Sequence, residues 1–438
     1  MSLTSAAALR SLGEALRESF WFIPGLMALL SAVGAYGLLV LDSPSRLRPL
    51  YEPMGADGAR AVLSAIVGSM ITVTGVVFSA MVVALSLTSS QFGPRLLRTF
   101  SRDRGSQFAL GTFLATFCYS LLVLPAVRDP GIPNAALVGA IALAIASLIV
   151  LIFFIHRLTN AIQASDVIAS AGQEIRSLVP TIFSKPATEH GCQEPSAEER
   201  RTLERLDEAG AGVRAQEEGY VRMVDERAVL ELASRRDLVV RLLVTPGQFV
   251  DLSCEIARVW PPDRLGSEAA AALRRAVLVG THRTVVEDLL FPVEQLSEMA
   301  VRALSPGVND PKTAVQCLHR LGGLMAEIAD RPMPVAHRYD EMGALRIARA
   351  PLTFEAIAAG CFDAIRRAGS HDPKVVVELL RAVGRGVGTS FRPERRRALR
   401  MHAREIYEAF GATPTARSQR DRAFVDAAFD SVSKALGG

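Results

Sequence analysis

The side chains that most often perform catalysis or bind metal ions are scattered through this chain of 438 residues. His282 precedes Glu287 and Asp288, and His319 follows Asp310, but neither histidine has the His–carboxylate clustering or the i, i+4 histidine pair of a metal site. No serine stands in a nucleophile elbow. The five cysteines contain no Cys-x-x-Cys spacing, so we expect neither a thiolate metal site nor a disulfide framework. We therefore predict a protein that is not an enzyme and that holds no metal ion.

Small and hydroxylated side chains form one face of an apolar segment near the N-terminus. Small residues allow helices to approach closely, and hydroxyls bond across helices or back to their own backbone. This face therefore either packs inside a four-helix bundle or lines a narrow, water-filled pore between several chains. Its members recur at a spacing of three and four, with Val82 as the larger exception: Ala61, Ala65, Gly68, Thr72, Gly75, Ser79 and Ser86. The pore-lining candidates among them are Gly68, Thr72, Gly75, Ser79 and Ser86.

Two arginines follow this face. The sequence Ser-Ser-Gln-Phe-Gly-Pro-Arg-Leu-Leu-Arg at 89–98 places Gly93-Pro94, which interrupts or kinks a helix, before Arg95 and Arg98. The two arginines either anchor lipid phosphate groups or form a ring at a pore mouth that favours anions. No ionisable side chain lies within the apolar segment itself, which argues against a proton-coupled transporter with an intramembrane carboxylate.

Four apolar segments position these residues. Each is long enough to cross a hydrocarbon core of about 30 Å as a helix, which needs about 20 residues, and each lacks internal Asp, Glu, Lys and Arg. The sequence therefore predicts a four-helix transmembrane domain over 20–156, after an amphipathic cytoplasmic tail at 1–19. Charged residues make up 21% of the chain, so a substantial part lies outside the membrane. The four segments are 20–41, 61–87, 107–127 and 133–155.

Arginine placement predicts the orientation, because basic residues are in excess on the cytoplasmic side. Four arginines lie on the other side of the predicted spans: Arg46, Arg48, Arg60 and Arg128. We predict a multi-pass membrane protein with both termini in the cytoplasm. The chain's net charge of +4 offers no electrostatic footprint for nucleic acid. Seven arginines lie on the predicted cytoplasmic side: Arg10, Arg17, Arg95, Arg98, Arg102, Arg104 and Arg157.

The remaining chain predicts an α+β region in a mainly α fold. A cytoplasmic helix and linker occupy 157–218, and a small β-rich module occupies 219–262, with strands at 219–224, at 239–244 and within 249–260. This module contains no lysine to carry a lipoyl or biotinyl group, and we predict no cofactor. A helical domain follows at 263–438. Its predicted helices are 265–304, kinked at Pro292, then 311–329, 351–368, 372–384, 393–410 and 420–435.

The run Ala-Leu-Ser-Pro-Gly-Val-Asn-Asp-Pro-Lys-Thr-Ala at 303–314 predicts a turn between two helices. Asp310 is expected to cap the second helix, and Pro311 to occupy its first position, where a missing N–H costs nothing. A structural helix-turn-helix corner explains the run without catalysis. Its residues are Ser305, Pro306, Gly307, Asn309, Asp310 and Pro311.

The runs at 303–314 and 89–97 resemble the signatures of DUF2254, a bacterial family of predicted membrane proteins with a domain of unknown function. Gly-Tyr-Val at 219–221 and Pro-Gly-Gln-Phe-Val at 246–250 also fit this family. The resemblance covers about residues 10–410, with mild departures at Gly93 and Val308. It implies an integral inner-membrane protein and brings neither an activity nor catalytic residues.

These observations favour an oligomeric ion channel or pore. The second transmembrane helix would line the conduit, and the cytoplasmic domains would form a vestibule or gate. Its partners would be membrane lipids and further copies of the chain. The alternative is a non-conducting scaffold or sensor, anchored in the membrane, that binds a cytoplasmic protein partner; exposed apolar patches on the last three helices would favour it.

Overall fold

The fold is that of a computed structural model, which describes residues 20–41, 55–92, 104–128, 132–161, 164–183, 195–285, 287–387 and 392–437. The chain divides into two compact units, an N-terminal unit of residues 1–166 and a C-terminal unit of residues 167–438. The described residues form fourteen α-helices and eight β-strands. This confirms the prediction of a mainly α protein with a smaller β part.

The N-terminal unit is built from four apolar helices. All four are long and apolar enough to cross a membrane, over Phe22–Val40, Ala56–Ser86, Arg104–Ala126 and Asn134–Leu158. The four predicted membrane-spanning helices are therefore confirmed, and the second begins five residues before its predicted start. The helices are α1 (Phe22–Leu41), α2 (Ala56–Phe92), α3 (Arg104–Val123) and α4 (Asn134–Ala161).

Helix α3 is the central helix of this unit, because it packs against α1, α2 and α4. In its membrane-crossing stretch 56% of the residues are buried, compared with 11–17% in the other three helices. The helices approach closely at two glycines. A Cβ added at Gly111 of α3 would lie 2.5 Å from Met27 Sδ of α1, and Gly139 of α4 lies against the hydroxyl of Tyr119 in α3. Helix α3 therefore fills the centre of the unit.

The C-terminal unit combines two small sheets with a set of packed helices. Helix α5 (Ala164–Ile182) begins just before the division between the units and continues into this one. The helices and strands that build the sheet region are α6 (Ala197–Ala209), β1 (Ala211–Arg214), β2 (Gly219–Val224), α7 (Glu226–Arg236), β3 (Val239–Leu242), β4 (Phe249–Val250), β5 (Glu255–Trp260), α8 (Ser267–Ala276), β6 (Val277–Gly280), β7 (His337–Tyr339) and β8 (Leu345–Arg349).

Five strands form one sheet in the order β1-β5-β3-β8-β7, and three form a second in the order β4-β2-β6. The β3–β8 pair is parallel, with Val240 opposite Ile347, and the other recorded pairs are antiparallel. Val221, Val240 and Val259 are buried completely in the core shared by the strands and α7. A β3–β8 parallel pair requires a long connection, and residues 243–344 provide it.

The β structure extends beyond the predicted module at 219–262. Strands β6 and β8 come from the part that the sequence indicated as helical, and they complete the two sheets by pairing with β2 and β3. The predicted single helix at 265–304 is wrong: α8 ends at Ala276, the segment Val-Leu-Val-Gly from Val277 forms β6, and a new helix begins at Leu290. Pro292 lies in the first turn of that helix, where proline is tolerated, and not at a kink.

Six helices form the remainder of the C-terminal unit, and their bounds agree with the predictions apart from the first. Their main contacts are α9 with α10 and α11, α10 with α12, α11 with α13, and α12 with both α13 and α14. The helices are α9 (Leu290–Ala303), α10 (Pro311–Ile328), α11 (Phe354–Gly369), α12 (Pro373–Val387), α13 (Pro393–Gly411) and α14 (Gln419–Ala435).

Candidate functional site

The face of small residues on α2 is exposed along its whole length. We name it the small-residue stripe, and every member is exposed: Ala61, Ala65, Gly68, Thr72, Gly75, Ser79, Val82 and Ser86. The opposite face of α2 packs inside the unit, and it includes the buried residues Ala59, Leu63, Val77 and Met81. Packing among the described residues of one chain therefore does not account for the stripe.

The two glycines of the stripe have open space beside them among the described residues. A Cβ added at Gly68 or at Gly75 would find nothing within 4 Å. At Gly111, by contrast, a Cβ would lie 3.2 Å from Pro24 Cα, so that glycine is required by the approach of α1 to α3. Contacts among the described residues therefore do not require glycine at Gly68 and Gly75.

A hydroxyl of the stripe bonds within its own helix. Thr72 Oγ1 donates to the carbonyl oxygen of Gly68 at 3.0 Å. The hydroxyl hydrogen is thus satisfied without a second helix, which lowers the cost of placing the side chain in a membrane. Thr72 is exposed, and the lone pairs of its hydroxyl oxygen are the kind of acceptor that a water molecule or a neighbouring helix uses.

The stripe differs from the other membrane-facing surfaces of the unit. The exposed faces of α1 and α4 carry large apolar side chains, such as Leu29, Val33, Leu148 and Ile152, each 60–65% exposed. Such surfaces suit contact with lipid chains. On α2 the exposed Ile71, Val76, Phe78 and Val83 lie beside small and hydroxylated residues. The stripe is thus a shallow strip of low side-chain volume, which admits a closely approaching helix or water.

The predicted pore-mouth residues Arg95 and Arg98 fall outside the described residues, as do Gly93-Pro94 and the tail at 1–19. Ser86 is the last member of the stripe, and α2 continues beyond it to Phe92. The contribution of the two arginines to a pore mouth or to lipid binding stays a prediction.

The run at 303–314 forms the corner between α9 and α10. Asp310 is the N-cap of α10: its carboxylate accepts the backbone N–H of Thr313 at 3.3 Å and the Thr313 hydroxyl at 2.6 Å. Asn309 has φ +48°, a left-handed conformation that asparagine adopts more readily than most residues. The Asp310 N–H donates to Ala303 O at 2.7 Å, which closes the turn. Each recorded contact of Asp310 serves the corner.

The carboxylates near His282 also serve the fold. Asp288 Oδ2 accepts hydrogen bonds from both Nε and Nη2 of Arg283, at 2.9 and 2.7 Å. Its other oxygen, Oδ1, accepts a hydrogen bond from the backbone N–H of Phe291 in the first turn of α9. Glu287 accepts the Val224 N–H at 3.2 Å, and burial raises the pKa of this carboxyl group. His282 is exposed. The structure therefore gives this group of residues structural roles.

A row of buried hydroxyls on α3 was missed by the sequence analysis. Thr112, Thr116 and Ser120 are four residues apart and buried, and Thr116 Oγ1 lies 2.8 Å from Ser147 Oγ of α4. The i, i+4 spacing of hydroxyl residues in 112–120 places them on one face of a helix, and this pattern is visible in the sequence. Such hydroxyl pairs stabilise contacts between helices in membranes. The buried hydroxyls of the unit therefore lie on α3 and at its contact with α4, whereas the stripe on α2 is exposed.

Comparison with known proteins identifies the family. The family model described as "Predicted membrane protein (DUF2254)" matches residues 17–385 of this chain. The chain belongs to the DUF2254 family. The match includes the four membrane helices, both sheets and most of α12, and it confirms the family resemblance of the sequence motifs.

Relatives of this DUF2254 protein occur in mycobacteria. It is 31% identical over 423 residues to an uncharacterised protein of Mycobacterium bovis and to one of Mycobacterium tuberculosis. Each alignment covers 94% of this chain and 79% of the relative. No solved structure matches the chain. The DUF2254 protein is thus a membrane protein, and its described surfaces are the basis for a functional proposal.

Proposed function

We propose that this DUF2254 protein is a homo-oligomeric ion channel of the bacterial inner membrane, with the small-residue stripe of α2 lining the conduit. The observation that supports this proposal is the exposure of the entire stripe in the fold of one chain. An exposed membrane surface of glycine, alanine, serine and threonine is poorly suited to lipid contact alone, because small side chains leave little apolar surface for lipid.

The conduit lies between copies of the chain and not within one copy. Helix α3 occupies the centre of the four-helix unit, with Phe113 and Leu110 completely or almost completely buried. Several copies arranged around an axis, with α2 innermost, enclose the space that a single unit does not. In that arrangement Thr72, Ser79 and Ser86 present hydroxyl oxygens to permeating water and ions.

The arginines after the stripe give this conduit a direction and an ion preference. In this proposal Arg95 and Arg98 supply a ring of guanidinium groups at the cytoplasmic mouth, which favours anions. Arg60 stands near the other end of α2, where it donates to the carbonyl oxygen of Val127 at 3.0 and 3.2 Å. The C-terminal unit lies on the cytoplasmic side, together with both termini, and forms a vestibule or gate.

An anion flux assay with side-chain variants tests this function. Wild-type protein reconstituted in liposomes should release chloride, and Gly75→Leu should reduce the initial rate at least about tenfold, because a leucine on every copy narrows the conduit. Ser79→Leu, one helical turn further along α2, should reduce the initial rate of chloride release in the same way. Native mass spectrometry of the same samples should show that both variants still assemble.

The matched control is Gly34→Leu on α1. Gly34 is also an exposed glycine of a membrane helix, and a Cβ there would also meet nothing within 4 Å. This variant should conduct as wild type does, because its helix faces lipid in the proposed assembly. An inactive wild-type protein, or equal flux through Gly75→Leu and Gly34→Leu, would contradict the proposal.

A second candidate function is a membrane-anchored scaffold that binds a cytoplasmic protein. The observation that favours it is a cavity of about 660 Å³ beside α13 and α14 in the C-terminal unit, lined by Met401, Phe429, Leu436 and basic residues of α13. Met401 is 53% exposed, and Phe424 on α14 is 45% exposed. Protein that stays monomeric and gives no flux would support this function in place of a channel.

A further inference from the structure

Three side chains that are suited to bind a metal ion meet between α11 and α13. Asp363 lies on α11, and His402 and Glu405 lie one turn apart on α13. One possible ligand atom from each residue lies within 4.8 Å of the other two. Asp363 and His402 are separated by 38 residues, so local sequence patterns do not reveal this set. Only the His-x-x-Glu spacing at 402–405 forms a pattern that is visible in the local sequence.

Two atoms of this cluster are buried without a hydrogen bond. His402 is 5% exposed, and its Nδ1 lies 3.5 Å from Asp363 Oδ1, yet neither atom has a hydrogen-bond partner. Leaving buried polar atoms unpaired is unfavourable, and most buried polar atoms in proteins are paired. The ring of Phe362 packs edge-on against the imidazole, with a centroid separation of 6.0 Å, and helps to hold it in this orientation.

The spacing of these atoms suits a metal ion. Zn²⁺ binds imidazole nitrogen and carboxylate oxygen at about 2.0–2.2 Å, so two ligands of a tetrahedral site lie about 3.4 Å apart. The 3.5 Å between His402 Nδ1 and Asp363 Oδ1 agrees with that separation. The side chains of Asp363 and Glu405 are 30% and 39% exposed, so the outer side of the cluster is open to solvent. A water molecule can therefore supply a fourth ligand.

Arg366 is the cation with which a metal ion must compete. Its Nη2 lies 3.3 Å from Glu405 Oε2 and 3.8 Å from Asp363 Oδ1, and its Nε is buried without a hydrogen-bond partner. These contacts are too long to satisfy the carboxylates fully. Arg366 therefore does not complete the cluster.

We propose that Asp363, His402 and Glu405 bind one divalent transition-metal ion, with Zn²⁺ as the fitting probe, and that the ion joins α11 to α13. One nitrogen and two carboxylate oxygens form a donor set that such ions accept. The ion connects residues far apart in sequence, so its binding stabilises the C-terminal unit. This site is independent of the proposed conduit.

Equilibrium dialysis of the full chain against Zn²⁺ tests the proposal. The protein is purified in detergent without a polyhistidine tag and stripped with a chelator before dialysis. Wild type should bind one Zn²⁺ per chain and show a higher Tm when loaded. His402→Gln and Asp363→Asn should each weaken binding at least about 100-fold, beyond the 10–100-fold typical of changes outside the ligand set. Asp363 is partly exposed, so Asp363→Asn tests the site even where the His402 variant does not fold.

Two further variants distinguish a metal site from an ion-pair cluster. Arg366→Met should tighten Zn²⁺ binding, because it removes the competing cation while it keeps all three ligands. His319→Gln is the matched control, since His319 Nε2 lies 3.3 Å from Glu378 Oε2 in another His–carboxylate pair, and it should bind Zn²⁺ as wild type does. Wild type that binds no stoichiometric Zn²⁺, or that binds it no better than His402→Gln and Asp363→Asn, would overturn the proposal.

Discussion

At the scale of single residues, the guanidinium group of Arg346 connects three parts of the sheet region by hydrogen bonds. Arg346 lies on β8 and is 8% exposed. Its Nε donates to Asp340 in the β7–β8 turn at 2.7 Å, and its Nη1 donates to Asp237 at the end of α7, also at 2.7 Å. Hydrogen bonds from Arg346 and then Arg264 lower the pKa of Asp237. Arg346 therefore joins a helix end, a turn and an interior strand of the five-stranded sheet.

We predict that Arg346→Met lowers the free energy of unfolding of the C-terminal unit by about 2 kcal/mol, because it leaves the Asp340 carboxylate, whose side chain is 10% exposed, without its cationic partner. Trp21 and Trp260 are the two tryptophans of the chain. In a Trp21→Phe background, urea unfolding in detergent can therefore be followed by the fluorescence of Trp260, which ends β5.

The control for this prediction is Arg264→Met, which breaks an ion pair whose side chains are 46% and 69% exposed, and which should cost no more than about 1 kcal/mol.

A second readout is the pH dependence of unfolding. Burial opposes ionisation of Asp340, but hydrogen bonds from Arg346 and two backbone N–H groups lower its pKa overall. The stabilisation is therefore present above the unfolded-state pKa of about 3.9 and is lost as pH falls through the lower folded-state value. Equal losses in both variants, or an unchanged acid transition in Arg346→Met, would contradict this role.

At the scale of elements, the sequence predicted the helices better than the strands. The four apolar segments are recognised by about 20 successive residues of high hydropathy, and several helices from α10 onward combine amphipathic periodicity with a capping residue, such as Asp310 before Pro311. Strands β6 and β8 have four and five residues and lie between helices, so local periodicity gives them little signal. Their pairing with β2 and β3 joins residues far apart in the sequence. Only tertiary contacts distinguish such short strands from helix ends.

The candidate sites were predictable to different degrees for the same reason. The stripe on α2 follows one helical period, so its membership was evident from the sequence, but its outward direction depends on which face of α2 packs on α3. The cluster of Asp363, His402 and Glu405 joins two helices and was not predicted. The corner at Asp310 depends on neighbouring residues and was predictable in detail.

We predict that Gly111→Leu destabilises the N-terminal unit, because the added side chain collides with Met27 and Pro24 where α1 crosses α3. Overpacking of this kind typically costs about 1–3 kcal/mol. Thermal unfolding in detergent is followed by Trp21 fluorescence in a Trp260→Phe background, since Trp21 lies beside the start of α1. Gly34→Leu, the same substitution at an exposed glycine of α1, should leave Tm within about 1 °C of its parent. A Gly111→Leu protein as stable as Gly34→Leu would show that the close approach is not required.

At the scale of the whole molecule, the number of copies decides whether the stripe on α2 can line a conduit. A helix with its side chains is about 10 Å across. Three such helices around an axis leave an opening of radius below about 1 Å, whereas four leave about 2 Å and five about 3.5 Å. A water molecule has a radius of about 1.4 Å. Four copies are therefore the smallest ring with a water-filled axis, and the lack of a side chain at Gly68 and Gly75 widens it further.

We predict that native mass spectrometry of the protein in nanodiscs shows a ring of at least four chains. Gly34→Leu should leave the copy number unchanged, because the exposed face of α1 contacts lipid in the proposed assembly. Gly75→Leu should also leave it unchanged, because its side chain points into the conduit and not into the contacts between copies. A monomer or dimer would leave α2 without an axis to line. The exposed stripe would then be a surface for a different membrane helix, and the cavity at Met401 and Phe429 would become the leading functional surface.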